Sequence, residues 1–321
     1  MQGSEQIKAD LQDLHAEYPH QLVAIDINRD SALRSAYINR VPVVQVGPYR
    51  LEGEISKDRL QVALGAAIDR DRQLSKVDDK AYQDRLGRGR TVTSGDRTSL
   101  WISKNYIHVF NILILIYVGL PFTAPVLMKS GADLPANAIY RFYSILCHQL
   151  PFRSWFLFGE QAYYPRELAS IPGVITYETI NNNTQIDVLS DRQFIGNDVI
   201  GYKVALCQRD VAMYLAMLIF GVGFALSGRR IRAIPWYLWV IIGVGPIALD
   251  GFSQLPSAIP GLPAWLPIRE STPLLRTITG TLFGVMTTWY LYPMIEETMK
   301  ETRRLVNRKL ATAEQLNSPA K

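Results

Sequence analysis

The chain has 321 residues, 48% of them hydrophobic and 20% charged, with a formal net charge of +5. Its mean hydropathy of +0.03 averages two unlike halves, because charged, helix-forming residues fill the first hundred positions and the long apolar runs come later. The basic residues cluster beside those apolar runs, where membrane topology needs them, and this excludes nucleic acid as the partner that the charge implies.

At the N-terminus, Ile7, Leu11 and Leu14 recur at helical spacing. Leu22 to Ile27 reads as a buried strand, Ser31 to Ile38 as a helix, and Val41 to Val46 as a strand interrupted by Pro42. A hairpin beginning at Gly47-Pro48 leads through Leu51 and Ile55 to a helix over Asp58 to Ile68. Proline belongs at strand starts, edges or turns, so a cis Val41-Pro42 bond is expected. This order, with Arg40-Val41-Pro42-Val43-Val44 in it, resembles a thioredoxin or glutaredoxin-like domain over residues 1–70. The resemblance implies a cis-proline loop facing a Cys-x-x-Cys motif. The matching stretch, Met1-Gln2-Gly3-Ser4, has no cysteine, so no dithiol exchange is expected from this domain. Residues 71–100 read as a charged linker. Within it, Gly87-Arg88-Gly89-Arg90 lacks the spacing and the Lys-Ser/Thr ending of a phosphate loop, which leaves a basic linker with weak attraction for anionic lipid heads.

Four apolar runs follow: Tyr106 to Met128, Val211 to Ser227, Ile234 to Phe252 and Leu274 to Ile295. Each is near the ~20 residues that cross about 30 Å of hydrocarbon. Trp101, Trp236, Trp265, Tyr290 and Tyr292 flank them, as residues that favour the water interface do. Arg88, Arg90, Arg97 and Lys104 precede the first run, Arg229, Arg230 and Arg232 fill the loop between the second and third, and Lys300, Arg303, Arg304, Arg308 and Lys309 follow the fourth. The positive-inside rule puts all three groups, and both termini, in the cytoplasm. Residues 129–210 and the loop from Ser253 to Pro273 are then external, and the first span acts as an uncleaved signal anchor. The fold expected is an α-helical membrane protein with four transmembrane helices over residues 101–300, a small α/β thioredoxin-like domain before it and a basic cytoplasmic tail over 301–321. It is expected to be integral to the cytoplasmic membrane.

Ionisable side chains at membrane depth persist where they pair, bind or react, and this topology carries a set of them to one side. Asn137 to Gln149 is an amphipathic helix too short to span, ending in Cys147-His148-Gln149 before Pro151. Cys207-Gln208-Arg209-Asp210 stands at the mouth of the second run, with Cys207 and Asp210 on one helical face. Cys147, His148, Cys207 and Asp210 supply two thiols, an imidazole and a carboxylate, a donor set that suits zinc or another transition metal. The same thiols outside the cytoplasm can instead form a disulfide, or stay unlinked. Asp250 ends the third run after the helix-bending Gly243-Val244-Gly245-Pro246, and Arg276 opens the fourth. Asp250 with Arg269 or Arg276 reads either as an ion pair holding two helices or as part of a site. Gly280-x-x-x-Gly284 reads as a close helix-packing surface.

Cys147-His148-Gln149-x-Pro151-x-Arg153-Ser154, Cys207-x-Arg209 with Tyr214, Asp250-Gly251 with Gln254, and Arg269-x-Ser271-Thr272 with Arg276 and Thr279-Gly280 resemble the bacterial predicted membrane proteins of domain-of-unknown-function family 2085, over roughly residues 136–292. In that family the second segment usually reads Cys-x-Arg-Cys; here its last position is Asp210, a carboxylate that can still ligate a metal. Residues 163–202 look like an insertion. The expected function is a metal-dependent or redox membrane enzyme. In it, Cys147, His148, Cys207 and Asp210 form the centre, Arg209, Arg269 and Arg276 bind an anionic or lipid-linked substrate by their planar donor forks, and Asp250 serves as base or structural partner. The competing readings are a small transporter or channel, and a noncatalytic sensor or assembly protein.

Overall fold

The structure, a computed structural model, describes residues 2–29, 31–75, 91–181, 187–254 and 269–317. The chain forms two compact units, one of residues 1–105 with 297–321 and the other of residues 106–296.

In the first unit, α1 (Gln2–Leu14) and α3 (Lys57–Ser75) pack Ile7, Leu11, Leu14, Leu60 and Leu64 against one face of a hairpin, β1 (Val43–Val46) and β2 (Tyr49–Glu52). The hairpin turns at Gly47-Pro48, where Gly47 takes φ +54, a conformation that glycine adopts without a Cβ penalty. A short α2 (Ser31–Tyr37) precedes it, and Val41-Pro42 is cis. Leu22 to Ile27 is not a strand. Its residues alternate between exposed and half-buried, and the run gives way to a single 3-10 turn at Ile27–Arg29. An apolar run becomes a strand only where another strand takes up its backbone donors and acceptors, and β1 pairs with β2 alone among the described residues. A two-stranded antiparallel hairpin beside three helices does not establish a thioredoxin-like sheet. Of the linker expected over 71–100, residues 76–90 lie outside the described residues; α3 continues to Ser75 and the next helix begins at Ser94.

That helix, α4 (Ser94–Lys129), starts in a capping box. The Thr93 hydroxyl accepts from the Asp96 amide at 3.2 Å, and the Asp96 carboxylate accepts from the Thr93 amide at 2.8 Å. The second unit takes up α4 from Tyr106 onward, followed by α5 (Asp133–Tyr143), a three-stranded sheet, α8 (Gln208–Leu226), α9 (Trp236–Phe252) and α10 (Pro273–Asn317) as far as Glu296. The amphipathic helix expected over Asn137 to Gln149 therefore starts and ends earlier, and Cys147 sits on the turn after it. Pro121 has no amide to offer the Tyr117 carbonyl one turn back, and the Tyr143 hydroxyl donates to that carbonyl at 2.8 Å, fastening α5 to α4. The sheet runs β3 (Ser154–Leu157), β5 (Gly201–Cys207), β4 (Gly196–Asn197) in space, all antiparallel, with Ser154 opposite Cys207. Two short helices, α6 (Tyr177–Asn181) and α7 (Val188–Asp191), lie between β3 and β4. Part of the stretch read as an insertion thus builds the sheet that carries Cys207.

Among the described residues, two helices are long and apolar enough to cross a membrane, α4 and α8. The third expected span, α9, is shorter and opens into a π-helical stretch at Trp239–Val244, ahead of Pro246, whose ring removes the donor that would continue the ladder. The fourth forms the first half of α10, where Arg276 and a run of threonines dilute its hydropathy. Gly280 and Gly284 let α10 approach α8 closely: a Cβ on them would stand 2.5 Å from the Arg209 carbonyl and 2.3 Å from the Met213 carbonyl. All four helices expose apolar side chains, including Ile112, Leu113, Leu115 and Ile116 on α4, Leu215, Ile219 and Leu226 on α8, Ile241, Leu249 and Phe252 on α9, and Leu274, Ile278 and Leu291 on α10.

Candidate functional site

The first cluster is assembled by the turn after α5 and the junction of β5 with α8. Gln149 sits at φ +51 and reaches back with its side-chain amide to the Tyr140 and Ala205 carbonyls at 2.9 and 3.0 Å, so one residue ties the turn to both α5 and β5. Strand pairing of Ser154 with Cys207 closes the same loop from its other end. Cys147 Sγ, Cys207 Sγ and an Asp210 carboxylate oxygen thereby lie within 4.8 Å of one another. Cys207 is also the N-cap of α8, its sulfur accepting from the Asp210 amide at 3.4 Å. The two thiol sulfurs lie side by side, within 4.8 Å. Interaction with the Cys207 thiol lowers the pKa of Cys147 against the effect of burial, and interaction with Cys147 together with burial pushes Cys207 well above the usual thiol range. Of the two, Cys147 is the thiol that loses its proton more readily.

His148 is exposed and does not join this group. Its neighbour Cys147 turns inward and is buried, and adjacent residues on a helical turn point about 100° apart. The four-ligand set expected from the sequence is thus a three-ligand set. Lys203 of β5 is nearby and fully buried, its ammonium donating to the Gln149 and Arg192 carbonyls at 2.8 and 2.7 Å. Burial depresses its pKa to about 7, a shift that the charge of Cys147 opposes.

The second cluster joins α8, α9, the segment before α10, and the 3-10 turn before β3. Asp250, 4% exposed, is held by Arg209, by Arg269 at 3.2 Å, by the Ser271 hydroxyl at 2.9 Å and by the Gln254 amide. Glu270, also 4% exposed, accepts a bidentate pair from Arg153 at 2.9 and 3.0 Å and a further bond from Arg276. Arg276 reaches Gln254 at 3.0 Å, which links the two carboxylate centres. Burial works to raise the Glu270 carboxyl, and the two guanidiniums outweigh it and hold the group below the usual carboxylate range. Arg209, Arg269, Arg276 and Asp250 therefore come together as expected. Arg153 and Glu270 complete the cluster, and charge pairing across 117 positions carries no periodic signal in sequence.

Residues 190–290 match a family described as "Predicted membrane protein (DUF2085)". The chain is similar to that family over this stretch, which includes Cys207, Arg209, Asp210, Asp250, Arg269 and Arg276. Cys147, His148 and Arg153 fall outside it, so the match is shorter than the motifs over residues 136–292 imply. An uncharacterized protein of Methanocaldococcus jannaschii is 25% identical over 204 residues, covering 61% of this chain and 96% of the relative. No solved structure matches the chain.

Proposed function

We propose that the chain is a four-span integral membrane protein of the cytoplasmic membrane, with cytoplasmic termini, and that Cys147, Cys207 and Asp210 hold a transition metal, zinc by the chemistry of the donors, in a membrane enzyme. The mutual approach of the three donors within 4.8 Å carries the reading. Donors about 2.0 to 2.3 Å from one tetrahedral ion stand about 3.3 to 3.8 Å apart, so these three have only to close in slightly on an ion, and three protein ligands leave the fourth position that hydrolytic zinc sites keep for water or substrate. The lowered pKa of Cys147 suits ligation, and Asp210 offers a hard donor beside the two soft ones. Asp250 has both carboxylate oxygens engaged by arginines, which suits a positioning role better than proton abstraction. The apolar side chains exposed on all four helices support the four spans, because a soluble monomer seldom exposes that much contiguous apolar surface. The Arg229, Arg230 and Arg232 loop supports the orientation.

Elemental analysis of detergent-purified protein tests the reading. Close to one metal ion per chain is expected in the wild type, with loss of it in Cys147→Ser and Cys207→Ser. The approach of the two free thiols within 4.8 Å favours a second reading, a dithiol redox pair. Metal-free protein whose intact mass falls by two hydrogens on mild oxidation would establish that one instead.

A further inference from the structure

The second cluster contains more positive charge than its own carboxylates neutralise. Four guanidiniums, of Arg153, Arg209, Arg269 and Arg276, face two carboxylates, of Asp250 and Glu270, among the described residues. Each carboxylate already lies between two arginines. The segment 255–268, outside the described residues, contains no ionisable side chain, so it brings no further negative charge. Asp210, next to Arg209 in the chain, has its carboxylate within 4.8 Å of the two thiol sulfurs and is in none of these ion pairs. An excess of two positive charges around three side chains that are almost wholly buried is costly unless a counter-charge joins them.

The exposure of the arginines is graded. Arg276 is 3% exposed and fixed from below by Glu270 and Gln254, whereas the Arg209, Arg153 and Arg269 side chains are 22%, 31% and 37% exposed. Three forks are thus reachable from outside and are held in place by buried carboxylates, and the buried Nε of Arg209 has no hydrogen-bond partner. We infer that this cluster is a binding site for a phosphomonoester dianion, with Arg153, Arg209 and Arg269 as its ligands and Asp250, Glu270, Gln254 and Arg276 as the groups that orient them. A dianion matches the charge excess, and a tetrahedral phosphoryl group offers paired oxygens to planar guanidinium forks. The same group can come from a lipid headgroup or from a soluble phosphate. The inference stands on charge and geometry apart from the thiol site, and only its lipid source depends on the membrane placement proposed above.

The test is thermal unfolding of the full chain in an uncharged detergent. Orthophosphate is titrated against chloride of equal ionic strength, and phosphatidic acid in mixed micelles against phosphatidylcholine. A saturable rise of the midpoint with orthophosphate is expected, and a rise with phosphatidic acid alone would assign the site to a lipid headgroup. Arg269→Gln should raise the half-saturating concentration at least tenfold, because Asp250 keeps Arg209 while the site loses a fork. Lys129→Gln, which removes a positive charge outside the cluster, should leave the response unchanged. If Arg269→Gln does not purify, Arg269→Lys serves, since it keeps the charge and loses the fork, and the same weakening is expected. Cys207→Ser should keep its phosphate response, so a failure of the metal reading is distinguishable from a failure of this one. No midpoint shift with either phosphate probe, or an arginine variant that responds like wild type, overturns the inference.

Discussion

Lys203 is a full lysine side chain with no exposed surface, and its depressed pKa gives the protein a pH dependence of calculable sign. In the unfolded chain the ammonium titrates near 10.5, and in the folded protein near 7, so between those values the unfolded state binds more protons. Stability from this group is therefore fully present above about 10.5 and is lost progressively as pH falls to about 7, below which it changes no further. The limiting slope for one group is about 1.4 kcal/mol per pH unit. Cys147, Asp191 and Arg192 face the ammonium and titrate or hold charge as well. The measurement is accordingly the difference in unfolding midpoint between wild type and Lys203→Met across pH 7 to 9. The variant should show the flatter profile, with a constant loss from two orphaned carbonyls of about 1 to 3 kcal/mol each. At this scale the sequence was legible where chemistry and helical spacing coincide, as in Cys207 and Asp210, three apart at a helix start. It was misleading for His148, where adjacency in sequence places two side chains in different directions. It was silent on Lys203, because one lysine in an apolar strand reads as an exposed position. Gln149 offers a second test at this scale. Gln149→Ala frees two carbonyls and unties the Cys147 turn, so the unfolding midpoint should fall, and on the proposed metal reading the metal content should fall with it although no proposed ligand has been changed.

Between elements, the α8–α10 contact depends on glycines that have no room for a side chain. Gly284→Ala places a methyl group 2.3 Å from the Met213 carbonyl and 3.1 Å from the Ala216 side chain, so the helices must separate. Overpacking of this kind costs about 1 to 3 kcal/mol. Gly223, on α8, has nothing within 4 Å of its would-be Cβ, and alanine there should leave the midpoint unchanged or raise it by up to about 1 kcal/mol of helix propensity. Paired midpoints of the two variants check this, and equal effects would remove the close approach from the account. The glycine spacing made this contact legible in the sequence, as the apolar run did for the stretch of α4 from Tyr106 onward; the start of α4 at Ser94 fell within the expected linker. The three-stranded sheet was not legible. Its strands are of 4, 2 and 7 residues, and its central strand is buried on both faces with no alternation of burial to read. Leu22 to Ile27 shows the converse: it has strand composition, but a strand needs a partner, and that is a fact about the fold that no local pattern contains.

For the whole molecule, charge distribution bears on which side of a membrane each cluster would face. Arg229, Arg230 and Arg232 occupy a short loop between α8 and α9, and loops of that length obey the positive-inside rule, whereas the long 129–210 segment counts for little. Both charged clusters lie at the opposite ends of those helices, where Cys207 caps α8 at its start and Asp250 stands near the end of α9. If the loop is cytoplasmic, the thiols and the arginine cluster face outward, away from the cytoplasmic reducing pool. An impermeant thiol reagent applied to intact cells should then label a cysteine introduced at Asn182 and leave one introduced at Arg230 unlabelled until the cells are opened, with the parent protein as the blank for Cys147 and Cys207. The reverse pattern would turn the site inward. A thiol pair there would stay reduced, the dithiol reading would lose its oxidant, and any phosphate bound at the arginines would have to come from the cytoplasmic leaflet or the cytosol.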